Sequence, residues 1–202
     1  GTASINAGTG TFQIQPSTPT KTIEYGDVDT ARVTDVYYGS TFTNITAGQF
    51  TIGGATQTGD IFVTGVAAAP AATTLQTTGT GGVTFETAPY VAGNLDLGVV
   101  SGTGGLTLGQ SIGLGTGTLR LTTTGAITQP GGSVTATLLG ASAGTGITLT
   151  QAGNDVNVVA AQSAAGGITL RDSDDLVIGA APAVAGLHPA LTGLSAPGQS
   201  VS

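Results

Sequence analysis

Gly105-Leu106-Thr107-Leu108 returns as Ala126-Ile127-Thr128-Gln129, as Gly146-Ile147-Thr148-Leu149 and as Gly167-Ile168-Thr169-Leu170, and Gly82-Val83-Thr84-Phe85 precedes them all. Each copy is a small turn residue, an apolar residue, a threonine and usually a second apolar residue. The threonines, from Thr84 to Thr169, recur with a nearly constant spacing. Phe62, within Ile61-Phe62-Val63, lies one such spacing before Thr84 and marks an earlier copy. Self-similarity at a fixed period, here about 21 residues, is the mark of a stacked repeat.

A second series lies between these anchors: Leu95-Asp96-Leu97, Leu119-Arg120-Leu121, Val134-Thr135-Ala136, Val156-Asn157-Val158 and Leu176-Val177-Ile178. Apolar residues at i and i+2 around a polar one have the period of a half-buried strand. Asp96, Arg120, Thr135 and Asn157 then face outward, and Val177 breaks the rule. Gly104-Gly105, Gly131-Gly132, Gly153-Asn154 and Gly166-Gly167 punctuate the strands. No segment has a helical period.

Several short strands per repeat, with no helix between them, predict an all-β parallel β-helix, or β-solenoid, of about 21 residues per coil. Successive coils pair in parallel about 4.8 Å apart. Val83, Leu106, Ile127, Ile147 and Ile168 then stack inside as an aliphatic column. Thr84, Thr107, Thr128, Thr148 and Thr169 form a structural ladder outside. A narrow interior of this kind needs few aromatic residues and no tryptophan, and the chain has no Trp, Met or Cys. The whole length would make roughly nine coils and a rod of about 45 Å.

Composition removes other classes. The 35 glycines have no period of three and proline totals 8, which excludes collagen. Absent cysteine excludes disulfides, thiolate metal sites and a cysteine nucleophile. The net charge is −7, and the only Lys and Arg residues are Lys21, Arg32, Arg120 and Arg171, too few to neutralise a nucleic-acid backbone. Anionic membranes are disfavoured for the same reason. No apolar run is long enough to insert as a membrane-spanning helix. The opening GTASINAG has neither initiator methionine nor signal peptide, which suggests a processed chain or a piece of a longer one. Residues 1–40 fit the repeat poorly and are expected to be a cap or a variant coil with an insertion. Residues 41–180 are the β-helix repeats, and the Pro/Ala-rich residues 181–202 are expected to be a tail or linker.

The segment Ile45-Thr46-Ala47-Gly48-Gln49-Phe50-Thr51-Ile52-Gly53, followed by Gly59-Asp60-Ile61-Phe62-Val63-Thr64-Gly65, resembles the repeats of filamentous haemagglutinin-type bacterial exoproteins and giant adhesins. The stretches 119–129, 146–156 and 167–179 are similar to the same repeats, so the resemblance covers roughly residues 41–180. It implies a right-handed β-helix and an extracellular or cell-surface location. It also implies an outer-membrane secretion partner and a role in adhesion, surface coating or matrix. The N-terminal secretion module of that family, with its Asn-Pro-Asn motifs, is absent from this sequence.

Few residues point to chemistry. His188, the single histidine, lies beside Pro189 in the expected tail and reads as an exposed bystander. Asp172, Asp174 and Asp175 are close enough in sequence to ligate calcium, but their spacing is not that of an EF-hand loop. They read instead as a solvated turn. Asp27, Asp29 and Asp35 form a carboxylate group of the kind that cleaves glycosides. The Gly-His-Gly element of pectin-cleaving β-helices is missing. With Tyr25, Tyr37 and Tyr38 the same carboxylates suit stacking on sugar rings.

The threonine ladder invites an ice-binding reading, but its companion positions Glu86, Gly109, Pro130, Thr150 and Arg171 form no second threonine file. Gly113-Leu114-Gly115-Thr116-Gly117 has no following helix to cradle a phosphate. The sequence therefore points to a non-catalytic structural segment without cofactors, able to self-associate head to tail through its strand edges. The alternative is a ligand-binding adhesin domain that recognises a glycan or host protein through residues 16–40. A polysaccharide-cleaving enzyme is the remoter one.

Overall fold

The computed structural model describes residues 4–32, 35–42 and 44–202. Among them there are strands, turns and bends and no helix. Parallel strands stack into a β-solenoid of about six turns, about 22 residues apart.

One ladder runs through Ile23–Gly26, Ile61–Val63, Val83–Phe85, Leu106–Leu108, Ile127–Thr128, Ile147–Leu149 and Ile168–Leu170. Its register aligns Ile23, Ile61, Val83, Leu106, Ile127, Ile147 and Ile168. None of these seven is more than 1% exposed. Strand side chains alternate between faces, so each following residue points outward: Glu24, Phe62, and then the five threonines Thr84, Thr107, Thr128, Thr148 and Thr169. A wider ladder runs through Thr11–Ile14, Gln49–Gly53, Ala72–Gln76, Leu97–Ser101, Thr118–Thr123, Val134–Ala143 and Asp155–Ser163. It stacks Ile14, Ile52, Leu75, Val99, Leu121, Ala141 and Ala161. A third, short side joins Tyr90–Val91, Ile112–Gly113 and the start of Val134–Ala143.

This third side corrects the reading of the second sequence series. Leu97, Leu119, Leu139 and Val159 share one row, whereas Val134 pairs with Ile112 and Val156 with Ala136. Val134–Ala143 is a single strand of 10 residues that contributes to two sides. The same alternation occurs on both, so spacing alone could not separate them. A buried amide pair lies near this junction. Gln129 Nε2 donates to Asn154 Oδ1 at 2.7 Å, and Asn154 Nδ2 donates to Gln129 Oε1 at 2.9 Å. The Val134 N–H and the Arg171 carbonyl take up further capacity of Asn154.

At the N-terminal end, Thr11–Ile14 and Ile23–Gly26 already belong to the two main ladders. The chain then leaves the stack between Gly26 and Gln49, so Ile23 pairs with Ile61, well beyond the usual repeat spacing. Within this excursion Val36–Gly39 adds a strand outside Ile23–Gly26. Phe42 returns to pack tilted against Phe50, ring centroids 4.6 Å apart, and Phe50 also meets Phe12 at 5.5 Å and Tyr25 at 6.4 Å. Aromatic residues cluster here because the aliphatic column ends and a larger area needs cover.

The C-terminal residues are not a tail. Ala180–Ala181 pairs antiparallel with Leu191–Thr192. Ala181 and Leu191 bury against Ala160 and Leu138 on the outer face of the wide ladder. Leu194–Ser195 then pairs with the last long strand, and Val201 bridges Ile168. Strand alternation is missing from this segment because it packs sideways as a strap. With the excursion and the strap removed, the nine expected coils fall to about six, a stack on the order of 30 Å at 4.8 Å per coil.

Candidate functional site

The excursion holds the densest set of ionisable groups, but not in the expected arrangement. Tyr25 is fully buried; it occupies an inward register beside Val63, and burial pushes its hydroxyl up. Tyr38, its partner across the ladder, is half-buried against the core. Tyr37 faces out at 40% exposure and donates its hydroxyl to the Gly26 carbonyl at 2.9 Å. Asp27 accepts from the Ser40 hydroxyl and, at 2.7 Å, from the Ala67 N–H. Asp29 accepts from the Ala31 N–H at 2.8 Å, closing a local turn. Alternation thus sends the tyrosines to opposite faces, and hydrogen bonds within the chain occupy two of the acids. The sugar platform expected of these six residues does not assemble.

Sequence reasoning missed Glu24, which is 0% exposed. Its carboxylate accepts from the Thr30 N–H at 2.6 Å and the Thr30 hydroxyl at 3.0 Å. Arg32 lies 3.7 Å away, pairs with Glu86, and places its guanidinium 3.8 Å above the Phe62 ring. Asp35 comes against Glu24 and, holding a proton, donates a hydrogen bond to it. Burial first, and then the neighbouring Glu24, raise Asp35 to about 6. Burial also pushes the Glu24 carboxyl up. Hydrogen bonds from Asp35 and Thr30 and the charge of Arg32 outweigh it and hold Glu24 below its ordinary value. Carboxyls pushed apart in this way have the form of an acid–base pair. Glu24 is fully buried and both Asp35 oxygens are covered. Period two in Ile23-Glu24-Tyr25 sets Glu24 on the opposite face from its neighbours, but its register with Phe62 crosses the excursion, and no local pattern gives it.

The split has a measurable consequence. An acid whose pKa is higher folded than unfolded favours the fold at low pH and costs stability as pH rises through the folded value. Asp35→Asn is expected to be more stable than the parent in urea at pH 7, with the difference gone by pH 4. Equal midpoints at both pH values would show that Asp35 is ordinary.

The acidic turn near the C-terminal end is dispersed. Asp172 Oδ1 accepts from the Val156 N–H at 3.0 Å, fixing the turn to the preceding coil, while Asp174 and Asp175 are exposed. Among the described residues no group of three or more His, Asp or Glu side chains converges as a metal site. His188 is not a bystander either: it is 7% exposed, with Nδ1 2.9 Å from Thr122 Oγ1.

The repeats have a counterpart among known proteins. No curated protein and no solved structure matches the chain. Residues 91–163, within the regular coils and outside both the excursion and the strap, match the family model described as repeats of unknown function (DUF5649), to which this stretch is therefore similar.

Proposed function

We propose that the chain is a non-catalytic structural segment of a secreted or cell-surface bacterial exoprotein of the filamentous haemagglutinin type, serving as a stalk, filament or matrix section. The observation that supports this reading is the register: from Val83 to Thr169 every turn offers one inward aliphatic residue and one outward threonine to the next. Such a stack carries load along its axis through backbone hydrogen bonds, and its length depends on the number of turns rather than on any one side chain. Immunogold labelling of intact cells of the source organism tests the location. Label on unpermeabilised cells is expected, and label only after permeabilisation overturns the reading. Head-to-tail joining belongs to the same proposal, since strand edges template further pairing. Electron microscopy at micromolar concentration would show fibres if the ends join and isolated short rods if they do not.

A second reading, a ligand-binding adhesin, is favoured by one observation. The excursion opens a cleft of about 450 Å³ lined by Asp27, Ser40, Phe42, Ile45, Ala67 and Pro70. Loss of glycan-array or host-cell binding in Ile45→Arg would support it. Binding that survives this substitution would remove the cleft from consideration.

A further inference from the structure

Between Leu176 and Ser202 the only ionisable side chain is His188. It sits on the strap formed by Ala180–Ala181, Leu191–Thr192 and the turn between them, where Val184 and His188 bridge. The strap lies on a strip of the wide ladder where small residues flank a single large side chain, Arg120. Gly98, Arg120, Gly140 and Ala160 occupy one outward row of it. A methyl group at Gly98 would come 2.7 Å from His188 Nε2, and one at Gly140 would come 2.9 Å from the Ala181 methyl. The strip is bare where the strap needs it to be.

The docking is apolar except at His188. Its Nδ1 meets Thr122, but among the described residues its buried Nε2 has no hydrogen-bond partner, and neither has Nε of Arg120. The charged groups facing the ring are few. Arg120 comes from the strand beneath, and Asp96, half-exposed, lies 3.6 Å from Arg120. The neighbouring strands contribute Gly98 and Thr74, and the strap itself contributes no charge. A proton on His188 would therefore put a second cation beside Arg120 in an enclosed place, with one carboxylate for the two.

We propose that residues 180–192 are an acid-released strap: docked while His188 is neutral, and detached from the outer face of the solenoid when His188 takes up a proton. Release uncovers Gly98, Arg120, Gly140 and Ala160 and leaves the coils intact. Burial first, then Arg120, lower His188 from 6.5 to about 4 when docked. The detached strap has an ordinary histidine. Above about pH 6.5 both forms are neutral and docking is at full strength. As pH falls toward 4 only the detached form gains the proton, and docking weakens on the order of a hundredfold.

Methyl NMR of the full chain tests this. The Ala181 and Leu191 methyl signals are expected to move to solvent-exposed positions between about pH 6 and pH 4, with Leu106 and Ile127 unchanged. His188→Gln should hold its strap signals constant over the same range. Arg120→Gln, which removes the neighbouring cation, should shift release to lower pH and provides the test should His188→Gln fail to dock. Strap signals that stay constant in the parent would overturn the proposal. So would strap and core signals that change together, or release that is unchanged in whichever variant docks.

Discussion

Ile127→Ala is expected to lower the melting temperature by about 10 °C, through a loss of about 2–5 kcal/mol. Ile127 is 0% exposed and lies between Leu106 and Ile147 in the inward column. Truncation removes the transfer free energy of its side chain and leaves a cavity that cannot easily collapse. The backbone hydrogen bonds of both neighbouring coils hold the column at strand spacing. On the outer face of the same ladder the solenoid should be indifferent: Thr148→Ala, next to Ile147 on the exposed file, is expected to stay within about 0.5 kcal/mol of the parent. Thermal denaturation of the two variants measures the contrast. Similar losses would mean that inward and outward registers are wrongly assigned.

A second large effect is expected at a corner. Gly132 has φ +65°, and a Cβ there would lie 2.2 Å from the Gln110 carbonyl carbon and 2.4 Å from the Ser111 nitrogen. Both are backbone atoms of the preceding coil and have no rotamer to change. Gly93 has nearly the same conformation, φ +64°, but nothing lies within 4 Å of its virtual Cβ. The two glycines therefore separate conformational strain from crowding. Gly93→Ala should cost about 1–2 kcal/mol, the penalty of a left-handed residue. Gly132→Ala should cost at least about 4 kcal/mol, because one coil must move away from the next. Urea midpoints decide it, and equal costs would contradict the close approach of coils at this corner.

Much of the solenoid was legible because its information is repeated. A glycine, an aliphatic residue and a threonine at a regular period fix the turn, the inward face and the outward face together, and each copy supports the others. The single-copy features were less readable. Leu97 and Val134 carry the same alternation, and only the bend within Val134–Ala143 puts them on different sides. Tyr25 looked like a ligand-binding tyrosine because its neighbours are acidic. Its register is set by Val63, a distant partner across an excursion that no local pattern announces. The strap was hidden for a related reason. Its apolar residues face a strip of glycine and alanine, and bare backbone leaves no hydrophobic signature in the sequence. Glu24 and Asp35 meet only because Val36–Gly39 folds back on Ile23–Gly26.

The central claim, that the chain is a stack of interchangeable coils, is tested most directly by adding one. Ile61 pairs with Val83, so a second copy of residues 61–82 inserted after Gly82 should enter the stack in register. The first copy keeps its pairing with the coil before it and the second copy takes over the pairing with the coil after it, at the loss of the Arg32–Glu86 pair. Repeat stacks gain stability from each added unit and interface. The duplicated chain should therefore fold cooperatively, denature at higher urea than the parent, and lengthen by about 4.8 Å in solution scattering. Inserting residues 61–71 alone, half a coil, should unfold the neighbouring turns. A full-coil duplication no better tolerated than the half-coil would contradict the stacked architecture.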